Sequence, residues 1–95
     1  MENDIEAVRE VLLELAKKMV NNPDKVTVKI REEEDERGHV TVLGVSADDK
    51  DFGILIGTLG ANAQALRKVI GVVAHRQVNR RVYVQIDAKP KKFLY

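Results

Sequence analysis

Ninety-five residues, 44% of them apolar and 33% charged, suffice for one modest core and are too few for two. Without cysteine the chain makes no disulfide and offers no thiolate to a metal; no apolar run approaches the roughly 18 residues of a membrane span, and no signal-peptide pattern opens it, so a cytoplasmic protein without a membrane partner is expected. The net charge of +1 hides an asymmetry: residues 1–52 hold 8 Lys/Arg against 14 Asp/Glu (−6), and residues 53–95 hold 8 against Asp87 alone (+7), which favours an anionic partner on the C-terminal side.

Asn3 followed by Glu6 resembles a capping box that opens a helix. Behind it Ile5, Val8, Leu12, Leu15 and Met19 recur at spacings of three and four, with Val11 and Val20 widening the buried stripe. Asn21-Asn22-Pro23-Asp24 ends the helix, because the residue before a proline is pushed out of the helical region. Lys25 to Arg31 alternates as a half-buried strand, with Val26, Val28 and Ile30 on one side. The carboxylate run Glu32 to Glu36, closed by Arg37-Gly38, reads as a solvated hairpin tip. It lacks the alternate-residue ligand spacing of a calcium loop. In the second strand, His39 to Val45, the alternation of Val40 and Val42 shifts to Leu43 and Val45, and a bulge or twist at Gly44 would explain the shift.

Ser46 followed by Asp49 is a second N-cap signature, opening a short helix over about 47–56 with Phe52, Leu55 and Ile56 as its buried face. Then comes Gly57-Thr58-Leu59-Gly60, and after it a long helix from Ala61 to Gln77 that buries Ala63, Leu66, Val69 or Ile70, and Val73. Gly71 inside that helix costs roughly 1 kcal/mol against alanine, and close packing of the N-terminal helix is the expected reason. Arg80-Arg81 lead into a last strand, with Val82, Val84 and Ile86 alternating with Tyr83, Gln85 and Asp87, and residues 89–95 form a basic tail. The order helix-strand-strand-helix-helix-strand predicts an α+β sandwich with a three-stranded sheet and three helices on one face.

The glycine turn carries the chemistry. Glycine takes φ > 0 and lets another backbone come close, and a turn placed before a helix leaves N–H groups without internal partners. The helix dipole adds partial positive charge there, making a seat for phosphate. Catalysis finds little support. His39 and His75 lie far apart without the spacing of a triad or a metal site, and Ser46 is accounted for by capping, so no enzyme, metal or cofactor is expected.

Leu55-Ile56-Gly57-Thr58-Leu59-Gly60, followed by Ala63, Leu66 and Val69, resembles the signature of the KH RNA-binding domains. The leading helix and hairpin make the order similar to the type II KH fold. Leu15 to Met19 with Asn22-Pro23, Ser46 to Gly53, Ala63 to Val69 and Arg80 to Asp87 resemble the short, single-domain bacterial KhpA type, related to the KH module of Jag proteins. The resemblance implies one KH domain over residues 1–88 and a non-catalytic RNA chaperone or post-transcriptional regulator. In such a protein the turn clamps about four nucleotides of single-stranded RNA. It implies an RNA-binding set of Ile56, Gly57, Thr58, Leu59, Gly60, Ala61, Asn62, Ala63 and Arg67. Ile56 and Ala63 would edge the groove, Asn62 would make a polar contact, Arg67 would reach a phosphate, and Leu43 or Val45 would supply the opposite wall. It further implies pairing with itself or with a Jag-type KH partner.

One departure stands out. The family's turn usually carries Lys or Arg, and here those positions are Thr58 and Leu59. Weak, salt-sensitive and poorly sequence-selective binding is therefore expected. Single-stranded DNA stays an alternative ligand, because a phosphate clamp does not sense the 2′-hydroxyl. The competing expectation is a KH fold whose groove has degenerated into a protein-binding surface, with the apolar Leu59 at the turn's tip as its mark.

Overall fold

The computed structural model describes residues 4–87; Asn3 of the expected capping box and the tail at 89–95 lie outside them. Helix α1 (Asp4–Met19) leads through a 3₁₀ turn, Pro23–Lys25, into β1 (Thr27–Asp35) and β2 (Gly38–Ser46). A second 3₁₀ turn, Asp49–Asp51, opens α2 (Phe52–Ile56), and a third, Thr58–Gly60, joins it to α3 (Ala61–Gln77), from which the chain returns as β3 (Val82–Ile86). The sheet runs β1-β2-β3, with β1 antiparallel and β3 parallel to β2. A parallel return needs a crossover, and α2 and α3 supply it. The α+β architecture with three strands and three helices is the expected one.

The core forms where the helices meet one face of the sheet. Ile5, Val8, Leu12 and Ala16 of α1 pack with Leu66, Ile70 and Ala74 of α3 over Val28, Leu43, Val45 and Val84. The stripe on α1 is narrower than its sequence suggests: Leu15 and Met19 are half-buried and Val11 is exposed. On α3, Ile70 rather than Val69 faces inward, and Val73 is only half-buried. Gly71 points outward, and a Cβ there would meet nothing within 4 Å, so close helix packing does not explain it.

The hairpin differs from the expectation in two ways. The carboxylate run is mostly strand: the ladder continues to Asp35 opposite Gly38, leaving only Glu36 and Arg37 in the loop. β2 also carries no bulge, since its register with β1 is unbroken from Thr27 opposite Ser46 onward. Both sides of β2 are buried because it is the central strand. Leu43 and Val45 enter the core, and long side chains from both neighbours cover Val40 and Val42 on the opposite face. Gly44 has a different role. The Arg31 guanidinium donates to Asp87 at 2.8 Å across the sheet, and a Cβ at Gly44 would collide with both groups.

Asp48, not Ser46, accepts the first free N–H of the α2 region, from Lys50 at 3.0 Å; Ser46 is the last residue of β2. Asp51 is almost fully buried, and its carboxylate accepts the backbone N–H groups of Asn21 at 3.3 Å and Asn22 at 3.0 Å. It thereby ties the end of α1 to the start of α2. Asp51→Ala leaves two donors unpaired and should cost about 2–4 kcal/mol. Urea unfolding should report it as a lower midpoint at unchanged slope.

Three carboxylates are held below their ordinary range. Asp35 is lowered chiefly by Arg81, Glu32 chiefly by the Thr41 hydroxyl, and Asp48 chiefly by the Lys50 backbone N–H. Groups depressed in the folded state stabilise fully above the unfolded range near about pH 4, and that contribution is lost as pH falls through their folded values. Melting of Asp35→Asn beside the parent should show a deficit at pH 7 that shrinks as the pH is lowered through and below the ordinary carboxylate range.

Candidate nucleic-acid interface

Helix α2 is five residues long, and burial of Phe52 and Leu55 fixes it on the core. It ends at Gly57, whose φ of 78° and ψ of 172° lie in a region open essentially to glycine alone. Space makes the same demand: a Cβ on Gly57 would stand 2.7 Å from the backbone nitrogen of Asn62. Asn62 packs there because its Nδ2 donates to the Ile54 carbonyl at 2.7 Å, closing the turn from the α3 side. Gly60, at φ 80° and ψ 12°, is left-handed but has open space around it. Between the two glycines Leu59 is also left-handed, at φ 54°, and its side chain is fully exposed. A non-glycine residue there costs roughly 1–2 kcal/mol.

The turn's own hydrogen bonds use the N–H groups of Gly57 (to Gly53 O, 2.8 Å), Gly60 (to Gly57 O, 3.0 Å) and Ala61 (to Thr58 O). Those of Thr58 and Leu59 take no part in them. Gly60 is the N-cap of α3 and no side chain caps the helix from that position, so 17 residues of helix dipole begin at the turn. The arrangement leaves backbone donors exposed at the head of α3.

The sequence-derived residues separate into three groups. Ile56, Thr58, Leu59, Ala61 and Asn62 are exposed on or beside the turn, with Gly57 and Gly60 at its corners. Ala63, on the first turn of α3, is buried. Leu43 and Val45 have no exposed surface, so neither supplies a wall; the strand that packs against α3 is β3. Arg67 stands away from the turn. Its Nε donates to the Val84 carbonyl at 2.9 Å, and its guanidinium lies 4.9 Å from the centre of the Tyr83 ring.

Electrostatically the site is milder than the sequence asymmetry implies. Arg81 of the basic half binds Asp35 of the hairpin, and Asp87 answers Arg31. Between Lys50 and Arg67 the chain carries no cation at all. His39 sits against Glu32 at 2.7 Å, and His75 is exposed on α3. Among the described residues no three His, Cys, Asp or Glu side chains form a group that would hold a metal ion. No helix among them is long and apolar enough to cross a membrane.

Two features escaped the sequence. Tyr83 is 44% exposed on β3; its outward phase was legible, but not that β3 is an edge strand with Arg67 reaching over it. The second is an apolar cavity of about 160 Å³ between α1 and α3, lined by Leu15, Met19, Ala65, Leu66 and Val69 beside Asn62. The partly buried ends of the α1 stripe were its only signal.

The model of the KH domain of KhpA and KhpB matches residues 9–86. This chain belongs to the KhpA/KhpB KH-domain family. It is similar to the RNA-binding protein KhpA of Streptomyces coelicolor, at 41% identity over 71 residues that cover 75% of this chain and 85% of the relative. It is also similar to the RNA-binding protein KhpA of Aquifex aeolicus, at 31% identity over 80 residues covering 84% and 95%. The KH fold recurs within larger solved structures. Era of Aquifex aeolicus bound to GDP.AlF4- superposes with a TM-score of 0.67 at 19% identity, covering 87% of this chain and 30% of Era. Era in complex with MgGDPNP and nucleotides 1506–1542 of 16S ribosomal RNA gives 0.65 at 20% identity, covering 83% and 28%.

The two glycines of this KH domain answer to different constraints, and substitution separates them. Gly57→Ala meets both a forbidden conformation and the Asn62 backbone and should cost about 2–4 kcal/mol, against about 1–2 for Gly60→Ala. Equal losses in urea unfolding would mean that the approach of Asn62 is not what fixes the turn.

Proposed function

We propose that this chain is a small single-stranded RNA-binding module whose Gly57–Gly60 turn seats the phosphates of about four nucleotides, acting by binding rather than by catalysis. The observation that carries this reading is the exposed turn, with the Thr58 and Leu59 N–H groups outside its internal hydrogen bonds at the head of α3. The relatives named as RNA-binding proteins support it. A post-transcriptional regulator or RNA chaperone fits a module with no cation at the turn and an exposed apolar tip. Its grip is modest and reversible. With about 2–3 phosphate contacts the logarithm of the binding constant should fall with the logarithm of salt at a slope of about −1.4 to −2.

The test is fluorescence anisotropy with a short labelled single-stranded RNA of mixed sequence, at low and at physiological salt. Thr58→Asp/Leu59→Asp places two negative charges at the seat on an exposed turn, and should abolish binding while leaving the melting temperature close to that of the parent. Undiminished binding by that variant would remove the turn from the site. Equal binding of the DNA of the same sequence would make the ligand a single strand of either sugar.

A second reading rests on a specific observation. Leu59, Val69 and Val72 are exposed apolar residues, and Gly71 leaves the outer face of α3 open. That face suits pairing with a second KH domain, of this chain or of a Jag-type partner, which would place two weak seats on one RNA. In the competing form of this reading the groove binds protein alone, and the parent would then bind no RNA even at low salt.

A further inference from the structure

We propose that Tyr83 and Arg67 form a stacking subsite for a nucleobase of the strand that lies beyond the nucleotides held by the turn. The proposal rests on the RNA-binding reading and extends its footprint over the edge of the sheet. Tyr83 alternates with Val82 and Val84, which pack toward the core, so its ring stands on the face that the helices leave open. Because β3 is an edge strand, no other strand among the described residues pairs with its outer side. Arg67 comes over that edge from α3, anchored by its bond to Val84 O, and lays its guanidinium 4.9 Å from the ring centre. A planar guanidinium held by two partners has already lost much of its rotamer freedom, and it leaves most of its five donors for other acceptors.

The surroundings suit a base. Tyr83 and Gln85 flank a cavity of about 270 Å³ whose floor is Val40 and Val42. Glu33, Glu34, Asp35 and Arg81 line the cavity too, with Arg31 on Glu33 and Arg81 on Asp35, so carboxylates outnumber the one lining cation. Those carboxylates keep phosphates out, so the backbone stays on the Arg67 side and only the base turns in. Stacking on an aromatic ring is tolerant of sequence, which suits a seat that reads only backbone. Arg67 is also the first cation after the turn along the chain. The subsite thus adds grip that the turn itself lacks.

The experiment compares a four-nucleotide and an eight-nucleotide single-stranded RNA by anisotropy, against the parent, Tyr83→Val and Tyr83→Phe. Valine keeps the strand preference and removes the ring, and phenylalanine keeps the ring. Tyr83→Val should weaken the eight-nucleotide strand by about 5- to 100-fold and leave the four-nucleotide strand unchanged, while Tyr83→Phe binds both like the parent. An eight-nucleotide strand with abasic outer positions should bind the parent as weakly as the intact strand binds Tyr83→Val. If Tyr83→Val binds the long strand as tightly as the parent does, the subsite is overturned and the turn assignment stands. If it weakens both strands equally, Tyr83 supports the fold or the turn and the subsite is again overturned. If the parent binds neither strand, the RNA reading fails and the subsite with it.

Discussion

The glycine turn is held in place by a carboxylate that never meets solvent. A five-residue helix such as α2 has no stability of its own, because nucleating a helix fixes several residues for one hydrogen bond. Two things outside it make it persist: the burial of Phe52 and Leu55, and the grip of Asp51 on the backbone at the end of α1. Asp51 serves two chain ends at once. It accepts the N–H groups that α1 leaves behind, and it sets the point from which α2 and then the turn are measured. A buried charge is tolerated only when it is so occupied. The site is therefore positioned by polar bonding at one end of α2 and by glycine conformation at the other.

The sheet adds a different constraint. β2 is covered on both faces, and its backbone is paired on both edges, so it is the rigid member against which everything else is registered. Ion pairs bind the outer strands across it: Arg31 to Asp87 over Gly44, and Arg81 to Asp35 at the hairpin. Each pair is individually modest in water. Their consequence lies in charge distribution: each joins the acidic half of the sequence to the basic half, the first pairing Arg31 with the basic half's Asp87 and the second taking Arg81 from the cations that composition leaves for an anionic ligand. What remains near the turn is backbone polarity and the dipole of α3.

A turn of that kind is defined by geometry more than by charge. Gly57 and Gly60 shape the seat, Asn62 closes it, and Leu59 projects from it with a strained backbone that a polar interior would not require. Backbone strain persists only where the surroundings over-determine it. Here the surroundings are the anchored end of α2 and the first turn of α3. Val69 and Val72 are exposed on the outer helical face, the feature on which the pairing proposal rests.

Much of this was legible in the chain itself. The order of elements, the inward Ile5, Val8 and Leu12 of α1, and the turn between two helices follow from periodicity and from glycine, because those signals are local. The resemblance carried by the same segment fixed the family. Other readings failed where the deciding neighbour was distant in sequence. Gly44 looked like a bulge because the Arg31–Asp87 pair above it joins residues 56 positions apart. Ser46 looked like a cap because the competing Asp48 differs only in where the backbone turns. Leu43 and Val45 looked available because alternation does not reveal that β2 is central, and Tyr83 looked ordinary because it does not reveal that β3 is an edge. Local sequence determines which elements form and which face of each is apolar; only tertiary packing decides which faces are covered, since coverage depends on neighbours that chain topology brings together.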